Sequence, residues 1–577
     1  MSASSPTSGP TPGAAPTSGL TPGRAALWFA LPTLLLLALE VLPLVTGAET
    51  LILRDVLEVH LMLKAPQAEA LREGALPLID PSRFGGQPSL GNPNAVPLYP
   101  DNLLYLLFPV LWVLNAHFWV HLLLAPVSAF WMGRAWGLTR PAAWATGVCY
   151  ALSGFFLSHL NFYNLVAGAA LAPALVAAVL RAGQGRRRAA PAAGALWALL
   201  LLSGDPLMAV LAGALALGAF AAQRVRGGRE GGGVPGLEPG HGLRRAGGIG
   251  LAVLCGTLVA LPQIVEFLRV LPATYRGYWG YGAWRLSVGT WQPLQAIEWL
   301  VPMAFGRYDL QGAGGFWAAP LFGGHLPLFL SLYPGALALA LVLAAGLPGT
   351  QPDRGGRRAA WWAWGAIAVG LLLSTGGATP IGRWLFALPL AESFRYPVKL
   401  WLLVALGAAL LCGIGWQRAF GGAGGGGRPV RRSLRRLGIP LAGLALALGG
   451  VLAVLTLAPG RFEGAVLAAA REGLSPALVH AERARWIATV VAVLALILCS
   501  ALALVLARRR PVAGAALLLV VHAAGQLYLL RGLTATDEVA FYREPPAAVA
   551  SIPPGSRIAH AEYGSLFGPS RAAPGPD

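Results

Sequence analysis

ETLILRDVLEVHLMLKAPQAEALREGALPLIDPSRFGGQPSLGNPNAVPLYPD, from Glu49 to Asp101, is the first long polar interval after the first apolar run of the chain. It holds ten charged side chains between Arg54 and Asp101, in a protein that is 56% hydrophobic and only 12% charged. That contrast decides the fold. Usage this apolar, with a mean hydropathy of +0.62, lies far outside soluble globular chains and among polytopic membrane proteins. The interval therefore reads as a loop between membrane helices, and Asp55, just beyond the first helix, is its key residue.

Upstream, residues 1–24 are small, polar and broken by proline, which predicts a disordered cytoplasmic tail. The apolar run from 25 to 47 exceeds a signal-peptide core and lacks a convincing small-x-small cleavage site, so it reads as a retained first helix. Further stretches able to cross a hydrocarbon core of roughly 30 Å lie near 115–137, 141–158, 165–181, 191–204, 206–222, 247–270, 326–347, 361–376, 400–417, 438–458, 486–507 and 512–531. The expectation is an all-α polytopic bundle of about thirteen spans, with the amino end inside and the carboxyl end outside. The fifth and sixth spans meet at Asp205-Pro206 and read equally as a broken hairpin.

The charges give an independent test of orientation. An inside start assigns Arg186 to Arg188, Arg244, Arg245, Arg431, Arg432, Arg435, Arg436 and Arg508 to Arg510 to the cytoplasm, with only Glu230, Glu238 and Asp353 beside them. The net charge of +19 is thus explained by the positive-inside rule. A nucleic-acid partner is excluded as its cause, because these arginines are scattered over short loops instead of gathered on one face. Cys149, Cys255, Cys412 and Cys499 all fall in apolar spans without a CxxC spacing, so neither a disulfide framework nor a zinc site is indicated.

This topology gives the outside the loops 48–114, 271–325, 377–399 and 459–485, a segment 532–577, and both lysines, Lys64 and Lys399. In the first loop, Asp55 is followed by Glu58 and His60, near enough to the membrane to meet a lipid-linked substrate; a solvated loop acid is the plainer reading. Prolines and glycines downstream demand a fixed, irregular loop packed on the membrane domain. The 271–325 loop interleaves Tyr278, Trp291, Trp299 and Trp317 with Arg276, Arg285 and Glu298, suited either to sugar stacking and phosphate binding or to an interfacial aromatic belt. Arg395 and Lys399, spaced i, i+4 before an apolar helix, suit a lipid phosphate or ordinary headgroup snorkelling. His117 and His121 have the spacing of two metal ligands but no third nearby, while Glu40, Glu266 and Asp205 are acids within or beside the membrane. His159, Asn161 and Asn164 mark an outer turn.

In order along residues 50–420, the chain shows an acid after helix one, then Gly74-Ala-Leu-Pro-Leu78, Gly85-Gly-Gln-Pro88, Asn92-Pro93, Tyr99-Pro-Asp-Asn-Leu-Leu104, Ser153-Gly-Phe-Phe156, Phe394-Arg-Tyr-Pro-Val-Lys399 and a Gly413-x-Gly415 exit. This series resembles the YfhO-like bacterial membrane proteins, of the GT-C class of glycosyltransferases. It departs from them at Ile79 and Asp80, where an aromatic and an Asn are usual. The resemblance implies a GT-C-like domain over 25–531 in the bacterial cytoplasmic membrane, with its active face extracytoplasmic. It implies transfer of a sugar from a polyprenyl-phosphate carrier to an envelope glycan, polymer or protein. Asp55 would then be the base, Arg395, Lys399, Arg276 and Arg285 would hold the donor phosphate, and Glu58, His60, Asn92, Tyr99 and Tyr396 would contact substrate. A divalent cation is compatible with this chemistry, and no residue set demands one. The rival classes are a lipid-linked sugar or solute transporter or flippase, and a non-catalytic envelope assembly factor. A transporter would favour inverted repeats with matched broken helices, and the chain has no visible internal repeat.

Overall fold

A computed structural model describes residues 22–82, 86–224, 239–278, 288–307, 316–322, 326–347, 354–388, 395–420, 430–470 and 474–542. Nearly all of the tail expected over 1–24 and most of the segment 532–577 lie outside the described residues.

The apolar runs become helices, and proline sets where several of them begin. α1 (Pro22–Thr46) leads to strand β1 (Glu49–Leu51), a π-helical turn (Val56–Leu61) and α2 (Met62–Arg72). Strands β2 (Ile79–Asp80) and β3 (Gln87–Pro88) and a 3₁₀ helix (Pro100–Leu106) complete the first loop. Then come α3 (Val110–Ala135), α4 (Arg140–Ala151), α5 (Gly154–Ser158), α6 (Tyr163–Gly183), α7 (Ala189–Leu202), α8 (Pro206–Arg224) and α9 (Pro239–Val270). Short α10 (Tyr275–Tyr278) precedes a 3₁₀ helix (Pro293–Trp299), α11 (Ala336–Gly346), α12 (Arg354–Ser374) and α13 (Pro380–Phe386). A 3₁₀ turn (Pro397–Leu400) runs into α14 (Trp401–Phe420), followed by α15 (Val430–Leu457), α16 (Pro459–Ala470), α17 (Pro476–Arg509), α18 (Pro511–Leu529) and strand β4 (Thr536–Glu538). Pro206, Pro380, Pro459, Pro476 and Pro511 each stand at a first helical position, where a missing N–H costs nothing.

Among the described residues, eight helices are long and apolar enough to cross a membrane: Val110–Ala135, Tyr163–Gly183, Pro206–Gln223, Gly242–Ala273, Pro397–Phe420, Arg435–Leu457, Pro476–Arg509 and Pro511–Leu529. Ala30–Thr46, Ala189–Leu202 and Ala336–Gly346 are shorter apolar helices. The protein is thus an all-helical, multi-pass membrane protein. Eight is fewer than the thirteen expected: 25–47, 191–204 and 326–347 appear only as the shorter apolar helices, and 361–376 lies in α12, which is in neither group. Two of the expected stretches are also interrupted. The stretch 141–158 breaks at Leu152, because the Ser153 hydroxyl accepts the Phe156 N–H at 3.3 Å and starts a separate helix, α5. The stretch 326–347 is helical only from Ala336, since Gly335 at φ 95° ends the irregular approach.

Burial ranks the helices. The apolar windows of Tyr163–Gly183 and Pro397–Phe420 are 94% and 89% buried, against 22% for Gly242–Ala273 and 28% for Arg435–Leu457. So α6 and α14 form the centre, while α9 and α15 face lipid. Close helix approach uses small residues, as it must where apolar burial gives no contrast with lipid. At the α7–α9 crossing a Cβ on Gly194 would lie 2.4 Å from the Ala252 carbonyl oxygen, and one on Gly256 2.3 Å from that of Gly194.

The first loop packs on this bundle as expected. β1 pairs antiparallel with β4, Thr50 opposite Asp537, so the start of the loop is tied to the chain beyond α18. The Gly74-Ala-Leu-Pro-Leu78 motif leads into β2, and Gln87-Pro88 of the next motif forms β3, with Ile79 opposite Pro88 and Asp80 opposite Gln87. Gly204, at φ +92°, lets Pro93 approach so closely that a Cβ would meet its carbonyl oxygen at 2.1 Å.

Replacing Gly256 by Leu forces α7 and α9 apart and lowers the thermal unfolding midpoint of the detergent-solubilised protein by several degrees. Gly250→Leu, on the same helix with nothing within 4 Å of its Cβ position, leaves the midpoint unchanged.

Candidate functional site

Asp55 heads the π-helical turn that follows β1. The residue before it, Arg54, takes φ 53°, a left-handed conformation rare for a side chain of this size. Two side-chain bonds hold it there: Nη1 donates to the Pro327 and Leu328 carbonyls at 2.9 and 2.8 Å, while the guanidinium lies 5.0 Å from the Phe162 ring centre. Burial pushes the Asp55 carboxyl above the usual carboxylate range, and the charges of Arg54 and Arg395 pull against that rise without cancelling it. The structure thus brings together Asp55 and Arg395, residues far apart in sequence.

Arg395 belongs to a second constrained turn. Tyr396 takes φ 67° immediately before Pro397, where extended backbone is the norm. Gly289 supports it, since a Cβ there would lie 2.4 Å from Tyr396 Cδ1, and its carbonyl accepts the Val398 N–H at 2.9 Å. The Arg395 guanidinium lies 4.6 Å from the Tyr396 ring centre. One turn later, Lys399 forms an ion pair with Asp205. Asp205 also caps α8 by accepting the Met208 N–H at 2.9 Å, and it is 5% exposed. Sequence reasoning treated these two as separate candidates; the structure makes them one largely buried ion pair, with the Lys399 side chain 13% exposed.

Other candidates take structural positions. The His60 ring is buried and accepts the Tyr163 N–H at Nε2, 3.1 Å away; burial, with Lys64 and His117 nearby, lowers its pKa to about 3. Tyr99 is buried too, its hydroxyl 2.8 Å from His121 Nε2. Asn92 closes an Asx turn by accepting the Asn94 N–H at 3.0 Å. Glu58 lies in the π-helical turn and Arg276 in α10. Arg285 lies outside the described residues.

Beneath Asp55 runs a polar network that sequence reasoning missed. The Asp101 carboxylate pairs with His117 Nδ1 and accepts the Tyr163 hydroxyl at 3.0 Å. Lys64 is fully buried, donates to Asn102 Oδ1 and the Ala95 carbonyl at 2.7 Å each, and sits 4.3 Å from the Tyr163 ring centre. Burial raises the Asp101 pKa, but His117, Lys64 and His121 outweigh it and hold the carboxyl below the ordinary value. The two histidines spaced as metal ligands have both ring nitrogens engaged, His117 also with the Tyr163 carbonyl and His121 with that of His117. Among the described residues, no group of three or more His, Cys, Asp or Glu converges as a metal site.

Glu298 is a further buried acid, 1% exposed. Its Oε2 accepts the Leu332 N–H at 2.9 Å, and burial drives its pKa to about 8. The Trp291, Trp299 and Trp401 rings cluster beside it, 5.4 to 6.3 Å between centres.

The class so defined is an all-helical polytopic membrane protein with a docked polar loop carrying a raised carboxyl beside arginine. Among solved structures, the chain is similar to ArnT from Cupriavidus metallidurans bound to undecaprenyl phosphate, at 15% identity over 89% of this chain and 77% of that one, with a TM-score of 0.49. The apo state of ArnT gives 16% identity, 86% and 76% coverage and a TM-score of 0.48. The arabinofuranosyltransferase AftD from Mycobacteria is similar at 17% identity over 74% of this chain and 26% of that one, with a TM-score of 0.41. No family model matches the chain, and no curated protein does.

Asp205→Asn or Lys399→Met alone strands a buried charge and destabilises by about 3–5 kcal/mol, while the double variant costs much less; unfolding of the four members of this cycle measures the difference. Asp101→Asn costs a similar amount, about 3–5 kcal/mol at pH 7. Because the folded pKa of Asp101 lies below the ordinary 3.8, its contribution is present above that value and lost as pH falls through the depressed one. The wild-type and Asp101→Asn stability curves therefore converge only at strongly acid pH.

Proposed function

We propose that this chain is a GT-C type glycosyltransferase related to the YfhO-like proteins, moving a sugar from a polyprenyl-phosphate carrier to an envelope acceptor. The observation that carries the reading is Asp55, a carboxyl raised by burial and flanked by Arg54 and Arg395 on two constrained turns. The order of motifs along residues 50–420 supports it. The amino end lies in the cytoplasm of a bacterial cell and the Asp55 end faces outward, with a transferase domain over 25–531 followed by an outer segment.

In this reading Asp55 takes the proton of an acceptor hydroxyl as that oxygen attacks the anomeric carbon. The bond from that carbon to the phosphate oxygen breaks, and polyprenyl phosphate leaves with its electron pair. A raised pKa makes Asp55 a stronger base than an ordinary loop acid. Arg395 meets the negative charge that develops on the leaving phosphate, with Arg276 and Arg285 as further cations. Lys399, paired with Asp205, fixes the turn that carries Arg395. His60, Asn92 and Tyr99 hold the loop under Asp55, leaving Glu58 and Tyr396 as the candidates for substrate contact.

Mass spectrometry of polyprenyl-phosphate sugars and envelope glycans, in cells with wild type, Asp55→Asn or no copy, tests this. Asp55→Asn is expected to match the deletion, with one lipid-linked sugar accumulating and one glycan modification lost. In a purified assay the same change lowers kcat by about 100- to 10,000-fold, and the wild-type rate falls as pH drops through the raised Asp55 pKa. A normal glycan profile in Asp55→Asn cells, against a deletion phenotype, would sink the reading in favour of a transporter or assembly factor.

A further inference from the structure

At the opposite end of the bundle the arginines converge on a groove. α3 starts beside β1, where the Asn115 side chain accepts the Leu51 N–H at 3.1 Å, and α6 starts at Tyr163, bonded to Asp101. Both helices run away from Asp55, and α7 returns to Asp205. The 21 residues of α6 span about 30 Å. There, where α3 and α6 end and α7 begins, a groove of about 600 Å³ opens, lined by Arg134, Arg181, Arg186 and Arg188. Gln184 is the other polar side chain of the lining, and the rest of it is apolar, Trp131, Ala177, Ala178, Ala192 and Leu196 among them. The rim is accessible, with Trp131 45% exposed and Ala192, Arg186 and Arg188 exposed.

The connection between α6 and α7 is held in place. Gln184 donates to the Ala135 carbonyl at 3.0 Å, and Arg245 donates to that of Gly183 at 3.1 Å. Among the described residues, none of the four lining arginines forms an ion pair with a carboxylate. Arg134 spends one N–H on the Leu138 carbonyl, and a guanidinium has five to offer. Four cations with no acid partner among the described residues, beside a mostly apolar wall, suit an anion with a hydrocarbon part.

We propose that this groove seats an anionic phospholipid of the leaflet facing it. Its phosphate lies among Arg181, Arg186 and Arg188, and one acyl chain runs along the alanine faces of α6 and α7. Basic pockets between membrane helices hold lipid headgroups in this way, and guanidinium suits phosphate through paired N–H donors. The site is independent of Asp55 and of the transfer reaction.

The test is native mass spectrometry of the purified full-length protein exchanged into mixed phosphatidylglycerol and phosphatidylcholine of matched chains. Wild type is expected to retain phosphatidylglycerol selectively. Arg181→Gln/Arg186→Gln/Arg188→Gln weakens retention by about tenfold or more, whereas Arg508→Gln/Arg509→Gln/Arg510→Gln, with the same loss of charge at the same end, leaves it intact. Ala192→Trp fills the groove without changing charge and also releases the lipid, so the answer does not depend on the triple variant folding. Equal weakening by both triples would show diffuse surface attraction and overturn the site. So would equal retention of phosphatidylcholine, or displacement of the lipid by millimolar glycerol phosphate, which would mark a soluble phosphate compound as the occupant.

Discussion

A carboxylate cannot enter the interface between a loop and two membrane helices unless its charge is answered there. Asp101 is answered by His117 on α3, the Tyr163 hydroxyl on α6 and the charge of Lys64 on α2. Lys64 in turn reaches Asn102 and Ala95, so three parts of the first loop close on one buried cluster. Breaking a buried pair of this kind costs about 3–5 kcal/mol, a large share of what a folded protein has to spare. With the loop docked there, β1 meets β4 and Arg54 reaches the carbonyls of residues 327 and 328. The position of Asp55 is a consequence of that docking.

Among the described residues four non-glycine residues take positive φ, Arg54, Val96, Met303 and Tyr396, and two of them stand next to Asp55 and Arg395. Non-glycine side chains in this region cost of order 1–3 kcal/mol each and persist only where surrounding contacts over-determine them. Arg54 is fixed by two carbonyls and an aromatic face, and Tyr396 by the close approach of Gly289. Arg54 precedes Asp55 and Tyr396 follows Arg395, whose charge acts on Asp55. Strain placed on both sides of one carboxyl is spent on orientation, which a solvated loop acid has no use for.

Much of the helical frame was legible in the sequence, because long apolar runs punctuated by proline leave few alternatives. The breaks at Ser153 and Gly335 were harder, since a single cap or a single positive φ interrupts hydropathy without changing its average. Asp55 was legible as an acid beyond the first span. Its surroundings were not: Asp205 and Lys399 are 194 residues apart, and the Asp101 network joins a loop to two helices. Such appositions depend on tertiary register, to which local pattern is blind. His60 and Tyr99 show the same limit from the other side. A polar loop suggests exposure, yet both are buried under the loop they belong to.

Asp55 and Glu298 are both pushed upward by burial, and their surroundings divide them. Glu298 has one oxygen committed to the Leu332 N–H and, among the described residues, no cation shown to oppose desolvation, so its pKa reaches about 8 and it is mostly protonated at neutral pH. An acid in that state is a poor proton acceptor. Asp55 has Arg54 and Arg395 pulling its pKa back down, which keeps it nearer its charged form while burial strengthens it as a base. Under the proposed reaction only the second environment suits a base, and Arg395, one of the two arginines that pull the Asp55 pKa down, is the one placed to receive charge from the departing phosphate. One cation serving both groups ties the strength of the base to donor binding: an anionic phosphate brought to Arg395 weakens its pull on Asp55, raising basicity when the substrate is in place.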